Sequence, residues 1–281
     1  MTLTVFLAVM AAALMHAVWN AMVKVHFDRF ASVTLMTLGT AVTALPAVPF
    51  VDFPQPHVWP WILASVAFHM GYKLFLIRAY EAGDLAQTYP LARGSAPLLT
   101  TVGAVIVASE FPSGLSLGGI LLLSAGTFLM SFRGAAYLER LNGRAVIYAL
   151  ITSVFIACYT LSDGSGARLA STASSYAVYL FLCDGLWSLI LAVALRGRAI
   201  ARTIAAGWRM GLLTGSLSGV AYWIAMWAMT KAPIASIAAL RETSILFAMT
   251  ISVLALGETL TRWRTAAALL IVTGVVALRL G

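Results

Sequence analysis

Charge is what this sequence has least of. Only 10% of its 281 residues are Asp, Glu, Lys or Arg, where a soluble domain carries roughly 25%. With 61% apolar residues and a mean hydropathy of +0.93, the chain has too little polar surface to cover a soluble globule. That excludes a soluble enzyme, a nucleic-acid binder and a disordered protein. Cysteine is scarce as well. Cys158 and Cys183 both lie in apolar runs and support no disulfide framework. The motif G-x-x-x-x-G-K-S/T is absent, and with it an ATP-driven pump within this chain. No ring of like charges or repeated filter marks a channel. Long polar segments are lacking too, so no folded domain fits between the apolar runs and function must reside among them.

What is there is a series of apolar runs. A membrane helix takes about 20 mostly apolar residues, and the chain accommodates ten. Breaks at Pro, Gly and charge predict spans at Leu3–Val23, Phe30–Phe50, Val58–Tyr80, Leu85–Ser109 and Leu115–Phe132. Further spans follow at Arg144–Leu161, Ser174–Leu195, Trp208–Thr230, Ile234–Leu256 and Trp263–Leu280. The first run lacks a basic segment ahead of it and continues through Trp19 and Met22, so it reads as an uncleaved helix. Of the 18 Lys and Arg, twelve fall in odd-numbered connections or at the span ends that border them. Three (Arg168, Lys231 and Arg279) fall in even-numbered connections or at the C-terminus, and three lie within spans. Basic short loops stay cytoplasmic, which predicts both termini on the outer face. The net charge of +8 is thereby explained by topology rather than by a nucleic-acid partner.

The chain also repeats itself. Glu110 follows Arg93 by 17 residues, and Glu258 follows Arg241 by 17. Both pairs, and Gly126 with Gly274, are related by an offset of 148. RAYEAGDLAQ (78–87) aligns with WAMTKAPIAS (227–236) at an offset of 149. Five helices per half would make the second half enter the membrane from the opposite face, the arrangement of many secondary transporters. The expected fold is therefore an all-α membrane protein. Its ten transmembrane helices form two inverted five-helix repeats, residues 1–140 and 141–281.

On these residues the chain resembles the drug/metabolite transporter superfamily, in particular its EamA-type ten-helix members. The matching stretches are Ala79–Gly126 and Ala228–Gly274, with Glu110 and Glu258 at helix ends, and HAVWNAMVK (16–24) in the first helix. The resemblance implies a metabolite transporter of the cell inner membrane, more often an exporter, with a central cavity lined by helices one, three, four, six, eight and nine. It implies no substrate.

Charges inside spans are costly and usually face the interior, which makes them the first candidates for a site. His69, Tyr72 and Lys73 share one face of helix three, as Tyr89 and Arg93 do on helix four, and His16 and Asn20 on helix one beside Trp19. Arg93 and Arg241 are repeat-related, and two arginines suit a carboxylate or phosphoryl group. The alternative is that Arg93 pairs with Glu242 or Asp184 and ties helices together. The substrate-binding candidates are Arg93, Tyr89, Asn20, Lys73, Arg241, Trp19, Tyr72 and Trp223. His16, His69, Glu242 and Asp184 are the proton-coupling candidates. Lys73, Arg93 and Arg241 against Asp184 and Glu242 leave one positive charge. Pro90 and Pro97 around Gly94 predict a kink in helix four, and Gly211, Gly215 and Gly219 a smooth face on helix eight.

Asp163-Gly-Ser-Gly166 looks like a serine nucleophile turn, yet no base neighbours it in sequence, and its glycines place it in the connection after helix six. The chain thus reads as a secondary transporter and not an enzyme, with no cofactor and no metal. Its partners are the lipid bilayer and a small-molecule substrate, with or without a coupling proton, in a monomer or a homodimer. A lipid-headgroup flippase is the rival reading, and an intramembrane enzyme a more distant one.

Overall fold

The structure is a computed structural model of the chain. It describes all residues except 24–28, 84, 132–141 and 257–259, and all side chains except those and residues 23, 29, 85–87, 89, 131, 255 and 256. Glu258, Lys24 and the Tyr89 side chain therefore lie outside the described residues.

Among the described residues the chain is helical, without strands. The helices are α1 (Leu3–Val23), α2 (Arg29–Ala44), α3 (Trp59–Ala82), α4 (Leu85–Ala108), α5 (Gly114–Ser131) and α6 (Gly143–Leu169). They continue with α7 (Ala173–Arg196), α8 (Ala199–Met229), α9 (Ile234–Arg241), α10 (Ser244–Leu256) and α11 (Arg262–Leu280). With α9 and α10 taken together, nine segments among the described residues are long and apolar enough to cross a membrane. The tenth apolar helix, Gly114–Met130, is shorter. Val102, Ile106, Leu254 and Leu269 stand exposed on these helices, an arrangement that suits lipid and not water. This is a multi-pass membrane protein.

Four boundaries differ from the sequence expectation. The second span ends as helix at Ala44 and continues as a 3-10 turn, Leu45–Phe50, because Pro46 and Pro49 withhold backbone donors. The α8 helix starts at Ala199, nine residues early, since AIARTIAAG is a good helix former. The α6 helix runs eight residues beyond Leu161. Gly164 and Gly166, read as loop signals, are packing residues instead. A Cβ on Gly164 would come within 2.6 Å of Ile234, and one on Gly166 would press into Tyr176. Asp163 consequently sits inside a buried helix and not in a connection.

The fourth difference concerns helices four and nine. The α4 helix is continuous through Pro90 and Pro97, with Ser153 Oγ donating to the Ala92 carbonyl (2.9 Å) and Thr101 Oγ1 to the Pro97 carbonyl (2.7 Å). Helix nine has no internal proline, yet it is interrupted at Glu242–Thr243. There the backbone tightens to i→i−3 bonds, from Glu242 N to Ala239 O, Thr243 N to Leu240 O and Ile245 N to Glu242 O. The Thr243 hydroxyl bonds the Leu240 carbonyl at 2.7 Å and competes with the helix ladder.

Helix pairing sets the bundle. The α3 helix packs on α6, and α1 on α8. The α4 helix packs on α6, and α9–α10 on α1. The α5 helix lies along α11, and α2 along α7 and α8. Backbones approach most closely at glycines. Gly39 on α2 meets Gly211 and Gly215 on α8, and Thr40 Oγ1 donates to the Gly215 carbonyl (2.9 Å). On the α5–α11 seam, a Cβ on Gly126 would lie 2.9 Å from the Ala267 carbonyl. One on Gly274 would lie 2.7 Å from the Gly119 carbonyl.

Candidate functional site

Away from the helix ends, three carboxylates and three cations of the described residues are buried or partly buried. Lys73, Arg93 and Arg241 face Asp163, Asp184 and Glu242, so the excess positive charge counted from sequence disappears once Asp163 is placed inside α6. Their pairing is uneven.

Arg93 on α4 is buried and holds Glu242 with two contacts, Nη2 to Oε1 at 3.0 Å and Nε to Oε2 at 3.1 Å. Lys73 on α3 gives its three donors to Asp184 Oδ1 (2.7 Å), Asp184 Oδ2 (2.8 Å) and Ser188 Oγ (2.9 Å), all on α7. It lies beside a narrow crevice between α2, α3 and α7, lined by Phe30, Val33, Met70 and Leu74 among others. Both pairs join helices, as the structural alternative for Arg93 had it. Neither cation has an uncommitted charge to offer a ligand.

Arg241 is different. It closes α9 at the interruption, is partly accessible, and stacks its guanidinium over the Tyr222 ring, 4.7 Å from the centroid. Among the described residues no carboxylate lies within ion-pair distance of it. Glu242, its chain neighbour, is within electrostatic reach but is held by Arg93.

Aromatic and imidazole rings surround this guanidinium. His69 stacks on Tyr159 at 4.1 Å, and Tyr159 stands edge-on to Tyr222 (6.1 Å) and to Tyr72 (5.7 Å). His69 Nδ1 faces the hydroxyl and carbonyl of Ser65. His16 lies within electrostatic reach of both Arg93 and Arg241. It contacts Asn20 at 3.3 Å and meets Trp19 edge-on at 4.9 Å. The Trp19 indole N–H is buried with no partner among the described residues. The cluster thus draws on α1, α3, α4, α6, α8 and α9.

Two residues stand apart from their sequence reading in position. Trp223, offered as a ligand residue, is 39% exposed and donates to Ser174 on α7. Its neighbour Tyr222 is the one that turns inward, a difference of one helical step of about 100°. Asp163 was placed in a loop. Fully buried, it accepts from the hydroxyls of Tyr176 (2.9 Å) and Tyr222. Its spacing from Tyr159 (i, i+4) was the available signal. Glu110 at the end of α4 binds Arg168 at 2.6 Å and accepts from the Ile234 N–H (2.8 Å), capping α9.

Residues 143–280 match the EamA-like transporter family. A solved protein crystal structure superposes on the chain with a TM-score of 0.77 at 17% identity, covering 100% of this chain and 98% of the other. At that identity the likeness concerns the fold. A comparison with curated protein sequences found no match.

Proposed function

This chain belongs to the EamA-like transporter family, and from that premise we propose that it is a secondary transporter of small metabolites that carry a carboxylate or phosphoryl end. Arg241 carries the reading, as the interior cation away from the helix ends with no carboxylate partner among the described residues. Guanidinium groups bind carboxylate and phosphate bidentately. Tyr222, Tyr159, Tyr72 and Trp19 supply apolar walls and hydrogen-bonding edges near it, and the unpartnered Trp19 N–H is a further donor. Arg93, the stronger candidate by sequence, serves as the tie that holds Glu242.

The proposed motion is alternating access between two inverted halves, 1–140 and 141–281. Two observations support it. Helices pair as such a relation requires, α3–α6 matching α1–α8 and α4–α6 matching α1 with α9–α10. The offset of 148 also converts the Gly126–Ala267 contact into the Gly274–Gly119 contact. The tightened turn at Glu242–Thr243 is a hinge of the kind a mid-helix 3-10 stretch provides. The bias of basic residues supports an orientation with both termini outside, in a bacterial inner membrane. Export is the direction the family resemblance favours.

The test is thermal stabilisation of the detergent-purified protein by a panel of carboxylates, phosphonates, sugar phosphates, amino acids and organic cations. Anionic or zwitterionic compounds are expected to raise the melting temperature of the wild type and not of Arg241→Ala. Cations that stabilise both forms alike would remove the anion site.

A further inference from the structure

We propose that Asp163 is a proton-binding site that fills when an anion occupies Arg241, the two groups being coupled through Tyr222. The proposal rests on the reading of Arg241 given above.

Asp184 and Glu242 each hold a cation. Asp163 is fully buried, and among the described residues it has none within ion-pair distance. Its contacts are neutral donors, the hydroxyls of Tyr176 on α7 and Tyr222 on α8. Ser65 and His69 on α3 stand beside it. A carboxylate taken out of water costs several kcal/mol unless a charge compensates it. His69 on α3 is within electrostatic reach of Asp163, and the Arg241 guanidinium adds a positive charge one ring away, over the Tyr222 whose hydroxyl donates to Asp163.

A ligand anion at Arg241 neutralises that compensation. The other interior cations are committed, Arg93 to Glu242 and Lys73 to Asp184. A proton from water is the remaining cation small enough to enter. It forms an O–H bond on one Asp163 oxygen. That O–H then donates to a tyrosine oxygen, since each phenol both donates and accepts. Tyr159, on the same helix, and His69 complete the polar surround. Anion and proton thus favour each other, and by linkage the effect is reciprocal.

The first experiment needs no ligand. Arg241→Gln removes the charge that an anion would neutralise. Infrared spectra of the full-length protein at neutral pH are expected to show a protonated-carboxyl band in Arg241→Gln. The band should be absent from the wild type and from Arg241→Gln/Asp163→Asn. A band already present in the wild type and lost in Asp163→Asn, or no band in folded Arg241→Gln, overturns the proposal. Should the double variant fail to fold, Tyr222→Phe on the Arg241→Gln background must shift the band, and an unmoved band overturns the assignment.

The second experiment titrates the wild type with acetate by calorimetry in buffers of different ionisation enthalpy. About one proton taken up per acetate bound is expected, falling to none in Asp163→Asn. Acetate binding without proton uptake removes the role of Asp163 and leaves the anion site standing. No acetate binding overturns the anion site and this proposal with it, while the infrared band still reports whether the two side chains share charge.

Discussion

Helices four and nine carry arginines related by an offset of 148 in sequence, yet the two arginines have opposite fates. Arg93 rides on a continuous helix and is locked to Glu242, whereas Arg241 ends at an interruption and faces an aromatic ring. The offset of 148 explains the asymmetry. It carries Arg93 onto Arg241 and carries Glu242 back onto residue 94, which is Gly. Position 242 supplies a carboxylate and position 94 does not, so one arginine is a strut and the other is uncommitted. Proline content predicts neither fate. A proline removes one bond from the ladder, and helix four continues through both of its prolines. In helix nine, the Thr243 hydroxyl turned onto the Leu240 carbonyl and Glu242 held by Arg93 accompany a tightened backbone without any proline.

Breaking the locked side should have the largest effect. Arg93→Ala leaves Glu242 buried without a partner, at a cost of about 3–5 kcal/mol. Thermal unfolding in detergent should show a much lower midpoint, with most of the loss restored in Arg93→Ala/Glu242→Gln. Removing the uncommitted arginine should leave the fold nearly intact and remove ligand instead. A lost charged hydrogen-bond pair is worth about 1.5–3 kcal/mol, so Arg241→Ala should bind an anionic ligand roughly tenfold to a hundredfold more weakly by equilibrium titration.

The comparison sharpens if the missing carboxylate is installed. Gly94→Glu should give Arg241 a partner and abolish anion binding. A Cβ at residue 94 would lie 2.8 Å from the Phe128 ring, so the substitution belongs on a Phe128→Leu background. If that double variant folds and still binds anions through Arg241, the equivalence of 94 and 242 is wrong. On the α5–α11 seam, Gly274→Ala should cost about 1–3 kcal/mol in the same unfolding assay, since its Cβ meets backbone that has no room to move. The smallest effect is expected from Thr243→Val. It removes one hydroxyl bond worth about 1 kcal/mol and should relax the turn, read as slower transport with little change in melting temperature.

The helices were legible in the sequence because apolar runs of membrane length have few alternatives, and the paired arginines because repetition is a property of sequence. Partners were not. Arg93 and Glu242 are 149 residues apart, and nothing local distinguishes a strut from a ligand. That Tyr222 and not Trp223 faces Arg241 was not legible, because the facing of a helix within a bundle depends on its neighbours. Asp163 was misplaced because glycines mark loops in soluble chains and close contacts in membranes, and Gly164 and Gly166 do the second.

The even balance of charge within the helices has an electrical consequence. With three cations against three carboxylates buried or partly buried away from the helix ends, the interior of the empty carrier moves no net charge when it reorients. A loaded carrier holding one monoanion and one proton on Asp163 moves none either. The membrane potential, worth about 2.3 kcal/mol per elementary charge per 100 mV, then drives neither limb of the cycle. Flux in proteoliposomes should respond to a pH difference and to the substrate gradient, and remain unchanged when a potassium diffusion potential is imposed.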